Sequence, residues 1–438
     1  DMTGEHPETY PVEQAIIEKT GKPEAELMGR ADMHKTQRPD DSLLERQFAA
    51  HSLSELTTLF QVRKAANGVA RPVCKREFDG LERLEKISVG PRVEDYTYQG
   101  SQTLVHQRTA YRMENGNPGQ DKRVITYGYK PQLTDQPQTI ETTRQQGGKG
   151  TAANLASFDY EESAAITSAK EDTQGTRSYT YTPLGYLLQE KWDSKDSTGY
   201  HVDYAHSPQG RLLSRQDSDG QAVVHAYDAQ GRIAHTRQQS LKAAFSYDEE
   251  GLLESTETVD EASGRRVLCS LQHDTLGREV KRTLSVDGGV AHELHLVWRD
   301  DDLLLERRLE KDGTVLLKEN FEYDALNRLA FHDSEGPLLP CNAKGRPIIS
   351  QRFDFDEQDN LTHCRTWFDD DEVDDADFTY LADGSFQLAA VAHTLVTDYP
   401  ARQAFRYDEL GNALNDEWGR RLVYDSVGRL QEVRDADD

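Results

Sequence analysis

The residue types able to do chemistry that recur at a fixed spacing in this chain are an aspartate, a glycine and an arginine, led by an aromatic residue. Tyr227, Asp228, Gly231 and Arg232 form one copy, and Tyr424, Asp425, Gly428 and Arg429 another. His273 leads Asp274, Gly277 and Arg278, and Tyr323 leads Asp324, Asn327 and Arg328. The copies Tyr247, Asp248, Gly251 and Tyr407, Asp408, Gly411 lack the arginine, while Phe78 and Asp79 open a copy with Glu82 at the glycine position. A carboxylate placed this way accepts backbone N–H bonds inside a turn. The aromatic and the guanidinium can stack or hydrogen-bond along neighbouring turns and so form ladders. This chemistry holds a backbone in place and breaks no substrate bond.

Other clusters nominate no catalyst. His292-Glu293-Leu294-His295 lies in an alternating, strand-like stretch, where the two histidines point to opposite faces and cannot share a metal. The acidic run from Asp369 to Asp377 has Val373 at its fifth position and no following glycine, so it misses the calcium-loop pattern and reads as a solvated hairpin loop. Gly147-Gly148-Lys149-Gly150 lacks the spacing of a phosphate loop. Neither a Gly-x-Ser-x-Gly elbow nor a His-Glu-x-x-His helix motif occurs. Cys74, Cys269, Cys341 and Cys364 have no short ligand spacing and read as reduced thiols. Catalytic, cofactor and metal residues are therefore all expected to be none.

The elements that position the repeat follow from its turn chemistry. Aspartate first and glycine fourth mark a type I turn followed by a left-handed residue, which closes a β-hairpin with a one-residue bulge. The aromatic is then the last residue of one strand, and the aliphatic after the arginine begins the next. Asn327 tolerates the left-handed position second best to glycine. Glu82 predicts a strained or differently shaped tip. Counting degenerate copies, the aromatic positions between Tyr181 and Tyr424 step by 17 to 32 residues. That is two strands plus two turns, and a period of this kind means stacked supersecondary units.

These residues resemble the Rhs or YD repeats of bacterial polymorphic toxins, of Tc insecticidal toxin subunits and of animal teneurins. The resemblance is strong from Tyr181 to Leu430, weaker from Cys74 to Phe158 and absent from the first 70 residues. It implies a mainly β fold, a long antiparallel sheet of hairpins spiralling into a hollow shell. It also implies a non-enzymatic role, sequestering a C-terminal toxic effector until delivery to a target cell. The implied partners are the enclosed toxin domain, the remaining shell segments of the same polypeptide or of a partner toxin subunit, and a secretion or injection apparatus. Synthesis in the cytoplasm followed by secretion or delivery is implied as well. The alternative is a cell-surface adhesion or carbohydrate-binding module. No Asp-Pro dipeptide occurs, so the family's Asp-Pro-x-Gly self-cleavage motif has no counterpart. The chain is accordingly expected to be a section of shell wall without cleavage chemistry or toxin.

Charge and composition agree with a wall. The net charge of −27 disfavours nucleic-acid and anionic-membrane partners. No apolar run reaches the length of a membrane span. The apolar share, about 39% once glycine is counted in place of tyrosine, lies below the usual 45–50% and suits a thin sheet wetted on both faces. Three regions are expected. Residues 1–70 read as a helical plug, cap or insertion, with a short helix around Val12 to Lys19, another from Pro23, and helices near 42–51 and 52–65 from capping boxes at Ser42 and Ser52. Residues 71–180 read as divergent β repeats, and residues 181–438 as clear repeats.

Overall fold

The computed structural model describes residues 15–18, 33–49, 56–65, 67–130, 134–194 and 199–435. Among them the regular structure is entirely β. A single 31-stranded sheet runs from Ala15–Glu18 to Arg402–Ala404, and a separate two-stranded ribbon pairs Arg421–Tyr424 with Leu430–Arg434. Each strand pairs antiparallel with the next in sequence, as between Ala222–Tyr227 and Ile233–Gln238, so the sheet is one continuous meander.

Among the described residues, the helices expected in the first 70 are not there. Leu43–Phe48 and Thr57–Arg63 are strands, joined in register from Leu43↔Arg63 to Phe48↔Thr57. Ala15–Glu18 is a strand against Met33–Gln37. The helix expected from Pro23 and the capping residue Ser52 lie outside the described residues. In a strand, alternate residues share a face, and Glu45 and its cross-strand partner Gln61 are buried together, with Gln61 and Arg63 hydrogen-bonded to the Glu45 carboxylate. Tertiary pairing has overridden a local capping signal.

The wall is one sheet thick. The chain exposes 26752 Å², against about 17,000 Å² for a compact globule of 49.6 kDa. Buried apolar residues are few, and their main clusters join Ile348, Phe368 and Leu395, and Cys364, Ala376 and Val391. The sheet also returns to itself: Arg38 bonds Asp359, 321 residues away, and Arg429 bonds Glu171 across 258. One turn of the spiral therefore takes roughly the length separating those pairs. The expected solution signature is a radius of gyration clearly above the ~22 Å of a compact chain of this length. Small-angle scattering giving a value at or below that figure would contradict a thin curved wall.

Candidate functional site: the hairpin-tip ladder and the seam

Each repeat tip is a closed hydrogen-bonded unit. The Asp228 backbone N–H donates to the Arg232 carbonyl at 2.9 Å, and the Gly231 N–H donates to the Asp228 carbonyl at 3.1 Å. Asp228 Oδ1 accepts the Arg232 backbone N–H at 2.8 Å, and Oδ2 accepts Arg232 Nε at 2.8 Å. The pairs Asp79–Arg83, Asp274–Arg278, Asp324–Arg328 and Asp425–Arg429 repeat this double clamp. Where arginine is missing, Asp248 still caps the Leu252 N–H, and Asp408 binds the backbone and side-chain nitrogens of Asn412. The guanidinium of Arg83 holds the Asp79 carboxyl below its usual range. Burial pushes the Asp228 carboxyl up, but the Arg232 bonds outweigh it and leave it lowered.

The fourth position is left-handed throughout. Gly231, Gly251, Gly277, Gly411 and Gly428 have φ between +79° and +88°. Asn327 takes +62°, and Asp302 and Asp359 take the same region in degenerate copies. Glu82 also takes +62° and keeps the same hydrogen bonds, so that tip carries strain and no change of shape. The bulge falls immediately before the aromatic, between Ala226 and Tyr227, Ser246 and Tyr247, Gln272 and His273, and Glu322 and Tyr323.

The aromatics and arginines tie each tip to its neighbour. Tyr247 Oη donates to the Ile233 carbonyl at 2.9 Å, the first strand residue after the preceding tip. Tyr227 does the same to Leu212, Tyr323 to Leu304 and Tyr407 to Leu388. At Trp298 the indole Nε1 substitutes, donating to Glu279 at 2.7 Å. In the other direction, the Arg232 guanidinium lies 4.3 Å from the Tyr247 ring centroid, and Arg328 lies 4.7 Å from that of Phe355. Arg83, Arg232, Arg278 and Arg328 thus each clamp their own aspartate while covering the next aromatic.

These tips form one rim of the sheet. Where the spiral passes its own beginning, the rim docks on the opposite rim of the earlier strands. Arg38 donates to the Glu357 carbonyl and the Asp359 carboxylate, and Arg71 lies 3.1 Å from Glu357. Arg112 pairs with Asp383, Arg144 with Asp408 at 3.2 Å, and Arg123 donates to the Val427 carbonyl at 2.8 Å. Arg429 closes the row with two bonds to Glu171 at 2.6 and 3.0 Å. Gly90 meets the Asp383–Gly384 backbone too closely for any Cβ. Between the rims, Leu410 lines a cavity of about 220 Å³ together with Val93, Tyr111 and Arg123. Leu410, Val93 and Tyr111 are all buried.

The motif residues are thus brought into two functional rows, the ladder and the seam. Sequence reasoning missed the seam arginines because nothing local distinguishes Arg112 or Arg144. It also missed Asn342–Arg346 and Asp416–Arg420, which are the same capped turn on the opposite rim without a preceding aromatic. The Asp369–Asp377 loop expectation holds only for its first residues. Asp374 belongs to the strand Val373–Tyr380 and is buried, accepting bonds from His393 Nδ1 and the Thr394 and Leu395 N–H groups. His292 and His295 do not come together, but His295 joins Glu293 and Glu310, which face each other across the ladder. Lys281, 2.9 Å from Glu293, and Arg308, 2.8 Å from Glu310, already neutralise those carboxylates. The four cysteines are free.

No family model matches the sequence, and no curated protein matches it. Among solved structures, the chain is similar to the crystal structure of TcdB2-TccC3-TEV, with a TM-score of 0.59 and 14% identity over 92% of this chain and 23% of that one. TcdB2-TccC3 itself aligns over 94% and 24% at 12% identity with a TM-score of 0.47. The Photorhabdus luminescens Tc holotoxin pore aligns over 92% and 28% at 12% identity with a TM-score of 0.44. The chain therefore spans about a quarter of the first of these chains. At such identity the first likeness establishes the fold alone, a long antiparallel sheet shared with the TcdB2-TccC3-TEV structure.

Two outcomes check this geometry. Tyr407→Phe leaves the Leu388 carbonyl without its donor and is expected to cost about 1 kcal/mol. Gly231→Val forces a β-branched residue to positive φ and is expected to cost more than the roughly 1–2 kcal/mol of an ordinary left-handed residue, whereas Asn327→Gly is expected to be nearly neutral; equal melting temperatures for the two glycine-position variants would refute the tip assignment. A third outcome concerns buried Glu319. Burial raises its pKa, but hydrogen bonds from His332 and Arg307 prevail and hold it at about 2. A depressed carboxylate stabilises the fold above its unfolded pKa and loses that contribution as pH falls through the folded value. Glu319→Gln is therefore expected to melt earlier than wild type at pH 7, with the difference closing as pH approaches 2.

Proposed function

We propose that this chain is a section of the wall of an encapsulating toxin shell, isolating a toxic effector until delivery, with no catalytic role of its own. The observation that carries this reading is the seam: a single-layer sheet whose hairpin tips dock on its own earlier strands through Arg112–Asp383, Arg144–Asp408 and Arg429–Glu171. A wall of this kind works sterically. It keeps proteases and cellular targets from a cargo while remaining only one backbone thick. The natural partners are the enclosed effector, the adjoining shell segments or a companion toxin subunit, and the machinery that exports or injects them. The clusters that could suggest catalysis are already neutralised as ion pairs, which supports a structural role.

The test uses the complete polypeptide that carries this section. Under limited proteolysis the effector segment is expected to survive in the wild type and to be digested once Arg112→Glu and Arg144→Glu open the seam. Equal digestion of both proteins, with the repeats still folded by circular dichroism, would overturn encapsulation.

A further inference from the structure

Two kinds of connection hold this wall together, and they are chemically unlike. Successive strands are joined by backbone hydrogen bonds, and among the described residues no strand of one turn of the spiral pairs with a strand of the next. Across the seam the polar contacts come from arginine side chains. Arg38, Arg112 and Arg144 reach the carboxylates of Asp359, Asp383 and Asp408, and Arg123 reaches the Val427 carbonyl. In these pairs the cation sits on the earlier turn and the acid on the later one; Arg429–Glu171 reverses the sign. Arg71, Asp359 and Arg429 are exposed, so dissolved ions reach the row.

The receiving side is also set against itself. Arg92 stands directly opposite Arg112 on the neighbouring strand, and Arg123 directly opposite Arg144. Like charges placed this way repel. Burial, and after it the neighbouring Arg108 and Arg144, push the Arg123 guanidinium below its usual pKa. In the closed wall the docked acids offset the repulsion, Asp383 against Arg112 and Asp408 against Arg144. Attraction across the seam and repulsion within its basic side are both Coulombic. Both fade as the screening length falls from about 10 Å at 0.1 M salt to about 3 Å at 1 M. Backbone hydrogen bonds join uncharged groups and are not weakened in this way.

We infer that the seam is an electrostatic latch: a line along which one turn of the wall parts reversibly from the next under the control of ionic strength, while the strands on both sides stay paired. Parting exposes the arginines of one turn and Leu410 of the other, and it leaves the turns of the hairpin tips intact. The inference rests on the seam and is independent of what the wall encloses. A seam that never parts would remove the latch and leave encapsulation untouched.

Site-resolved thiol labelling tests it. Leu410→Cys places a thiol on the later side of the seam cavity, and Val93→Cys, in a separate variant, places one on the earlier side. The native Cys364, buried with Ala376 and Val391, reports on the sheet itself. Maleimide labelling of each cysteine is followed by mass spectrometry at about 0.05 M and about 1 M sodium chloride. Labelling at positions 410 and 93 is expected to accelerate roughly tenfold or more at the higher salt and to slow again on dilution, with Cys364 protected throughout. Adding Arg112→Gln and Arg144→Gln is expected to make both positions label fast at either salt, again with Cys364 protected. Rates at both seam positions that ignore salt in the otherwise unchanged seam would overturn the latch. Labelling of Cys364 in step with them would overturn it too, because the sheet would then be melting as a whole.

Discussion

Everything in this molecule depends on the backbone being able to reverse, every second strand, through one left-handed residue. The type I turn plus a residue at positive φ places a bulge at the same point in each hairpin, just before the aromatic. A bulge adds a residue to one strand only, so it bends that strand and increases its twist. Repeating it on one rim and not in the same form on the other gives the sheet a consistent curvature. The aspartate makes the turn stiff by accepting the backbone N–H groups that the reversal would otherwise leave unpaired.

Stiff turns alone would not build a wall, because a single sheet has little interior to bury. The ladder substitutes for a core. The hydroxyls of Tyr227, Tyr247, Tyr323 and Tyr407 satisfy carbonyls on the preceding hairpin, and Arg232, Arg278 and Arg328 cover the following ring, so neighbouring units are locked by charge-assisted and aromatic contacts at the rim. Stability of this sort is local and additive along the array, as in other repeat proteins. The seam adds the long-range contacts that the ladder cannot. It joins residues more than 250 positions apart through arginines that are otherwise ordinary members of their strands.

The division of labour also explains the charge. A core-poor wall can carry many carboxylates provided those at the turns are engaged, and the repeat aspartates are engaged by their own arginine or by backbone N–H groups. Buried acids away from the tips, such as Glu45, Glu319 and Asp374, are each met by cationic or N–H partners. The surplus negative charge therefore sits where solvent screens it and costs the fold little.

The sequence by itself determined the unit: Asp228 to Arg232 fixes turn type, bulge and handedness within a few residues, because those interactions are all local. It also determined the sheet, since repeating such a unit leaves no other way to pair strands. It misread the first 70 residues, where capping residues at Ser42 and apolar spacing suited a helix equally well until Leu43–Phe48 found a partner in Thr57–Arg63. Tertiary structure alone decided which tips are docked and which are free. That choice follows from accumulated curvature, a sum over all the intervening hairpins in which small differences in strand length set where the spiral meets itself. No residue near Arg112 or Leu410 encodes the meeting point; the geometry of everything between them does.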